Sequence, residues 1–182
     1  MIMLYYIHGY QSNPNSRKGI LFKEKLGVVP IKYRDCKPED LVINDCLDRI
    51  KKTVENDKNI TLIGSSLGGY LAAETAYELP TVEHIILLNP AVFPPDTPAD
   101  QIGLPPRIAE EMRDKKLYEE KIPAKVTILM ATDDEVIPKK WVIDFAIAQE
   151  AAILFLHDDH RFTRNLEKLP SIIKETTKTG LI

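Results

Sequence analysis

The residues best placed for chemistry are Gly64-Ser65-Ser66-Leu67-Gly68-Gly69, which fit the pattern G-x-S-x-G. The apolar run Ile60–Ile63 precedes them and helical spacing follows, which is the context a nucleophile elbow requires. So tight a turn projects the Ser66 hydroxyl and has no room for side chains at Gly64 and Gly68. No Gly-Lys-Ser/Thr follows, so the segment is not a phosphate loop, and Ser66 breaks the dinucleotide fingerprint.

A serine hydroxyl is a weak nucleophile until a base takes its proton. The chemistry therefore needs a histidine and an orienting carboxylate, in chain order serine, acid, histidine. Of four histidines, His8 precedes Ser66, and His84 enters an apolar run as a structural residue. His157 and His160 remain. His160 falls in the loop after the last apolar run, where a base can reach over the sheet edge, and it is favoured over His157 at the run's end. Asp133 and Asp134 supply the acid. Asp134 precedes an apolar pair leading into a helix and is the better candidate, with Asp133 as the fallback.

Other readings of these residues compete. His157-Asp158-Asp159-His160 has metal-binding residue types, but no second ligand cluster and no H-E-x-x-H accompany it, so no metal is expected. Paired aspartates also serve as turn formers and helix caps. An acyl-transfer site needs two backbone donors for its oxyanion. The N–H of Leu67 at the helix start is one. The N–H of Tyr10, turned inward by Gly9 in His8-Gly9-Tyr10, is the other. Tyr10, Tyr70 and Phe93 are candidates to line a substrate pocket.

Six apolar runs must position these groups: Met3–Ile7, Val28–Tyr33, Ile60–Ile63, His84–Leu88, Val126–Met130 and Ile153–Leu156. Most are continuous rather than alternating, as in strands covered on both faces. Helical spacing falls between them at Lys18–Leu26, Glu39–Glu55, Leu67–Leu79 and Lys139–Gln149, and a last helix is expected from about Pro170 to Lys178. In the second of these, Leu47, Ile50 and Val54 form one stripe and Pro38 can open the helix. This alternation predicts an α/β fold of about six mostly parallel strands with helices on both faces. Function then gathers at the carboxyl ends of the strands. Residues 92–123 break the alternation with six of the chain's thirteen prolines, and a short charged helix is expected at Ile108–Glu120. That insertion is either a lid or a surface excursion without a role.

At 182 residues with 44% hydrophobic and 28% charged residues, the chain suits one domain spanning 1–182. A net charge of −3 gives no footprint for nucleic acid or an anionic membrane. Cys36 and Cys46 form no disulfide framework or zinc ribbon and are read as reduced thiols. The N-terminus lacks a signal peptide's charged region, and the run near Ile60–Ala73 falls short of a membrane span, so a cytoplasmic protein is expected.

With these residues in hand, the chain resembles the α/β-hydrolases, and within them the small bacterial YqiA-like esterase family. Tyr6-Ile7-His8-Gly9-Tyr10-Gln11-Ser12-Asn13-Pro14-Asn15-Ser16-Arg17-Lys18 is similar to that family's opening H-G-[FY]-x-S-x-P-x-S-x-K stretch. Gly64–Gly69 matches its elbow, Thr132-Asp133-Asp134-Glu135-Val136 its T-G-D-E-V segment, and Asp159-His160-Arg161-Phe162 its D-H-x-F segment. The resemblance implies Ser66 as nucleophile, Asp134 as acid and His160 as base. It sets Asp133 aside, because the family usually has glycine there. His157-Asp158 likewise replaces a usual glycine pair, adding bulk and charge beside the triad. A minimal α/β-hydrolase fold is implied, beginning at the oxyanion strand and lacking the first two strands.

The expected activity is hydrolysis of a small carboxylic ester or thioester by a Ser66-His160-Asp134 triad, with no cofactor, a small-molecule ester as the partner, and neither nucleic acid nor membrane. A binding or signalling module with little turnover, or an acyltransferase, is the alternative on the same fold.

Overall fold

The computed structural model describes residues 2–178. Its strands are β1 (Met3–Ile7), β2 (Val29–Pro30), β3 (Ile60–Ser65), β4 (Val82–Leu88), β5 (Lys125–Ala131) and β6 (Ala152–Leu156). They form one sheet in the order β2-β1-β3-β4-β5-β6, and every pairing is parallel. The longer helices are α1 (Arg17–Leu26), α2 (Ile43–Val54), α3 (Leu67–Glu78), α6 (Lys139–Gln149) and α7 (Leu169–Lys178), with α4 (Pro106–Glu111) and α5 (Lys116–Glu119) in the proline-rich insertion.

The pleat sorts the strand side chains into two cores. Tyr5, Ile7, Leu62, Leu87, Ile128 and Met130 meet the residues of α2, α3 and α6 on one face. Tyr6, Ile63, Ile86, Leu88 and Leu129 meet α1 and α7 on the other. Alternate residues pointing to opposite sides, both apolar, explain why these strands read as continuous apolar runs. The chain runs from β1 out to β2 and then returns to place β3 on the other side of β1. The order of the strands therefore reverses between β1 and β3, and a crevice opens beyond their carboxyl ends.

Three expected elements differ. The second strand, expected over Val28–Tyr33, shrinks to Val29–Pro30. It is an edge strand bonded only to β1, and Pro30 has no N–H to extend the ladder. Ile31 and Tyr33 are nevertheless buried. The helix expected from Glu39 to Glu55 begins only at Ile43; Pro38–Asp40 is a separate 3-10 turn, and Leu41 is extended and fully buried. The break lets Leu41 and Ile43 both enter the core. Its exposed helix end is tied off from afar, since the Ile43 N–H donates to Glu111 Oε2 at 2.8 Å and Arg107 donates to the Leu41 carbonyl at 2.8 Å.

The single helix expected at Ile108–Glu120 is two short ones, α4 and α5. Between them Arg113 turns away to donate to the carbonyls of Pro95 and Thr97 at 2.5 and 2.7 Å, and Asp114 accepts the Lys116 N–H. Gln149 of α6 binds the far end of the insertion, donating to the carbonyls of Leu117 and Glu120 and accepting from the Ile122 N–H. Ile102, Ile108, Met112, Leu117 and Ile122 are buried in the main core, so the insertion is an integral wall of the domain. Among the described residues, no helix is long and apolar enough to cross a membrane. Cys36 is exposed, Cys46 is buried, and both are free.

His84 lies in β4 as a core residue, its Nε2 2.9 Å from Thr127 Oγ1. Burial, with help from the charge of Lys125, pulls its pKa from 6.5 down to about 4. His8 is held down to about 4, first by burial. Both rings fold neutral, whereas the unfolded chain takes up their protons below pH 6.5. The stability they contribute is thus complete above that pH and lost as the pH falls toward 4. Urea unfolding measured between pH 7 and 4 should show stability declining on acidification, and His84→Gln should flatten that slope; an unaltered slope would count against the buried neutral ring.

Candidate active site

The turn from β3 into α3 is closely packed. Ser66 caps the helix with φ 54° and ψ −120°, a strained conformation for a residue with a side chain. Its N–H donates to the Leu88 carbonyl at 3.0 Å, and its own carbonyl accepts the N–H of Gly69 at 2.8 Å and of Ala91 at 2.9 Å. A Cβ on Gly64 would lie 2.3 Å from the Gly68 carbonyl oxygen, and one on Gly68 would lie 2.1 Å from that of Ile7. Both contacts are to backbone, which cannot swing aside. Glycine at these two positions is therefore what allows α3 to begin directly over the end of β1.

Asp134 and His160 meet from different loops, one after β5 and one after β6. His160 Nδ1 stands 2.9 and 3.0 Å from the two Asp134 oxygens. The Asp134 side chain is fully buried, and that of His160 is 13% exposed. Asp134 Oδ1 also accepts the N–H groups of Val136 and Ile137, each at 2.8 Å. Three donors on one carboxylate fix its plane. With Nδ1 engaged there, Nε2 is the ring atom left for the cavity that His160 lines.

The histidine loop is built by its own carboxylates. Buried Asp158 accepts the N–H groups of Asp159, Arg164 and Asn165 and the Asn165 amide. Asp159 accepts the N–H groups of Arg161 and Thr163 and the Thr163 hydroxyl. Burial acts to raise both carboxyl groups, yet these hydrogen bonds together hold them below their ordinary values. Asn89, fully buried and at φ 43°, joins three strand ends. Its Nδ2 donates to the His160 carbonyl at 3.0 Å and its Oδ1 accepts the Ala131 N–H at 2.7 Å.

The loop after β1 is clamped from behind. Arg34 Nη2 donates to the carbonyls of Tyr10 and Ser12 at 2.7 and 2.8 Å. The Tyr33 hydroxyl donates to the His8 carbonyl at 3.1 Å, and the two rings stack with centroids 4.3 Å apart. Gly9 lies against the elbow, where an added Cβ would come 3.3 Å from Ser66 Cβ. Leu67 is the first residue of α3, so its N–H has no partner inside the helix.

A cavity of about 580 Å³ opens over these groups, and Gly9, Tyr10, Ser66, Leu67 and His160 all line it. Ser66 and His160 share its wall without a direct hydrogen bond between their side chains. Tyr10 and Phe93 line it as expected pocket residues, but Tyr70 does not. Its ring is buried in the main core on α3, because the first turn of that helix faces inward on all sides. His157 and Asp133 lie outside the cavity. They pair with each other at 3.2 Å on the surface, and Asp133 also meets Arg164. The four residues His157 to His160 thus diverge and make no common ligand set. Asn89 and Arg34 are contributions that motif reading did not assign, although Asn89 follows β4 at a strand end, where function is expected to gather.

The chain belongs to the family described as Uncharacterised protein family (UPF0227), the YqiA-like family, which matches residues 3–176. No curated protein matches the sequence. Among solved structures it is similar to Est1E from Butyrivibrio proteoclasticus with ferulic acid bound, with a TM-score of 0.81 at 18% identity over 98% of this chain and 88% of that one. Alpha/beta hydrolase domain-containing protein 10 from mouse gives 0.78 at 18% identity, covering 96% and 89%. A monoacylglycerol lipase from Paleococcus ferrophilus gives 0.73 at 17% identity, covering 96% and 93%. The fold is that of the α/β-hydrolases.

Asn89→Ala leaves the Ala131 N–H and the His160 carbonyl without their side-chain partner. Unfolding in urea should show a loss of about 2–4 kcal/mol, from two buried groups left unsatisfied. A variant as stable as the parent would show that Asn89 does not hold the histidine loop.

Proposed function

We propose that this member of the family is a serine hydrolase that cleaves a small carboxylic ester or thioester through an acyl-enzyme. One observation carries the reading: a buried Asp134–His160 pair at 2.9 Å opens onto the same cavity as the strained serine of the elbow. The names of the similar structures, an esterase and a lipase among them, support it.

In the first half-reaction Ser66 Oγ attacks the acyl carbon and His160 Nε2 takes the hydroxyl proton. Asp134 holds the imidazole in the tautomer with Nδ1 protonated and stabilises the imidazolium that forms. Negative charge develops on the former carbonyl oxygen, which the N–H groups of Tyr10 and Leu67 receive. Collapse breaks the bond to the leaving alcohol or thiol, and Nε2 returns the proton to it. In the second half, water gives a proton to Nε2 and attacks the acyl-enzyme. The acid leaves and Ser66 regains its proton. A cavity of about 580 Å³ suits a small substrate.

Ser66→Ala should lower kcat on short p-nitrophenyl esters by roughly a thousandfold or more, as loss of a nucleophile does. A fluorophosphonate probe should modify Ser66; a folded sample that stays unlabelled would sink the assignment. Asp134→Asn should cost far more activity than Asp133→Asn, whose carboxylate lies outside the cavity; the opposite order would exchange their roles. Because the base acts as neutral imidazole, kcat/KM should fall on acidification.

A further inference from the structure

The cavity over Ser66 has two unlike ends. Val92, Phe93, Ile102, Leu104, Ile137 and Trp141 make one of them, and all belong to the core on the α2, α3 and α6 face of the sheet or to the insertion packed on it. Arg17, Lys18 and Arg161 contribute to the other, where α1 and the histidine loop flank the opposite face. Ser66 stands between them at the sheet's carboxyl edge.

The basic end is charged and under-compensated. Among the described residues, Arg17, Lys18 and Arg161 have no ion-pair partner, whereas Arg49, Arg107, Arg113 and Arg164 all do. Lys18 is half-buried, its ammonium 5.7 Å from the centre of the Phe162 ring. Its neighbours Asp158 and Asp159 already accept the N–H groups of their own loop. Glu135 is the carboxylate that lines the cavity, and its Oε2 accepts the His160 N–H at 3.1 Å. Burial pulls the Lys18 pKa from 10.5 down to about 8 against the opposing attraction of Asp159, so the ammonium lacks full compensation for its lost water. An arriving anion supplies that compensation, and hydrogen bonds to charged groups are the strong ones.

On the hydrolase reading above, we propose that the substrate is an anionic ester, with its carboxylate or phosphate received by Lys18 with Arg17 and Arg161, and its apolar part lodged against Phe93 and Trp141 on the far side of Ser66. The serine, histidine and oxyanion donors cleave the bond between the two parts as already described. The cations bind and orient the substrate and take no part in proton transfer.

Two matched pairs of esters test this. The first is mono-p-nitrophenyl glutarate against p-nitrophenyl valerate, which places a carboxylate on the acyl side. The second is butyryl glycerol 3-phosphate against monobutyrin, which places a phosphate on the alcohol side. In at least one pair the anionic member should have the higher kcat/KM, by about tenfold. Lys18→Met, which keeps the packing on Phe162, and Arg161→Gln on the surface should each reduce that ratio, Lys18→Met to near one. The responding pair identifies the anion and its side of the scissile bond. No preference for the anion in either pair, or equal loss on both members in Lys18→Met, would overturn the proposal.

A binding readout separates this from the hydrolase reading itself. Trp141 is the chain's one tryptophan and lines the cavity, so its fluorescence can follow butyl phosphate, with butanol as the neutral control. Butyl phosphate should bind, and Lys18→Met should weaken it about tenfold or more. If no ester turns over and no probe labels Ser66 while this difference persists, the hydrolase reading falls and the anion site stands. Equal affinity in both proteins, or no binding to either, removes the anion site whatever the esters show.

Discussion

The close approach of α3 to the end of β1 is the constraint on which the site depends. The Gly68 Cα lies so near the Ile7 carbonyl that an added Cβ would come within 2.1 Å of its oxygen. Only with that approach does the helix start over the sheet edge, with the Leu67 N–H and the Ser66 hydroxyl at the same crevice as Gly9. The positive φ of Ser66 is the local consequence, costing on the order of 1–3 kcal/mol. The hydrogen bonds from its N–H to Leu88 and to its carbonyl from Ala91 hold the strained turn in place. Those partners come from β4 and the segment after it, so the elbow is stabilised by the neighbouring strand.

The histidine loop is held on a different principle. No glycine shapes it; instead two carboxylates and one amide gather its backbone N–H and carbonyl groups. Asp158 and Asp159 fold the loop on itself, and Asn89 ties it to the ends of β4 and β5. Asp134 then reaches the ring from a third direction, with its own loop donating two N–H groups to it. The N–H groups gathered on Asp158 and Asp159 occupy their oxygens, and among the described residues Arg17, Lys18 and Arg161 near the cavity carry no ion pair. The apolar and basic ends follow from the sheet having two faces: whatever caps one face becomes one wall, and whatever caps the other becomes the opposite wall.

The central elements were legible because burial on both faces demands unbroken apolar runs. Thus β3, β4 and β5 lie close to where their Val, Ile and Leu residues place them, and the elbow at Gly64-Ser66-Gly68 is local chemistry. The edges were less legible. Val28–Tyr33 reads as a full strand, and Val28, Ile31 and Tyr33 are buried, but their burial comes from side-chain packing without a ladder partner beyond β1. Residues 39–55 carry one helical stripe, yet Arg107 and Glu111, more than fifty positions later, secure the break before Ile43. Tyr70 has the type and position of a pocket residue; its inward direction depends on how α3 sits on the sheet.

The order of strands and helices along the chain and the strained turn at Ser66 follow from residue types and local spacing. These are short-range matters of sterics and of apolar periodicity. The convergence of Arg34 behind Tyr10, of Asn89 beneath His160, and of Lys18 and Trp141 at opposite ends of one cavity does not. Each joins segments that meet only when the sheet is assembled, because hydrogen bonds and charges act through space and carry no mark in the spacing of the residues that make them.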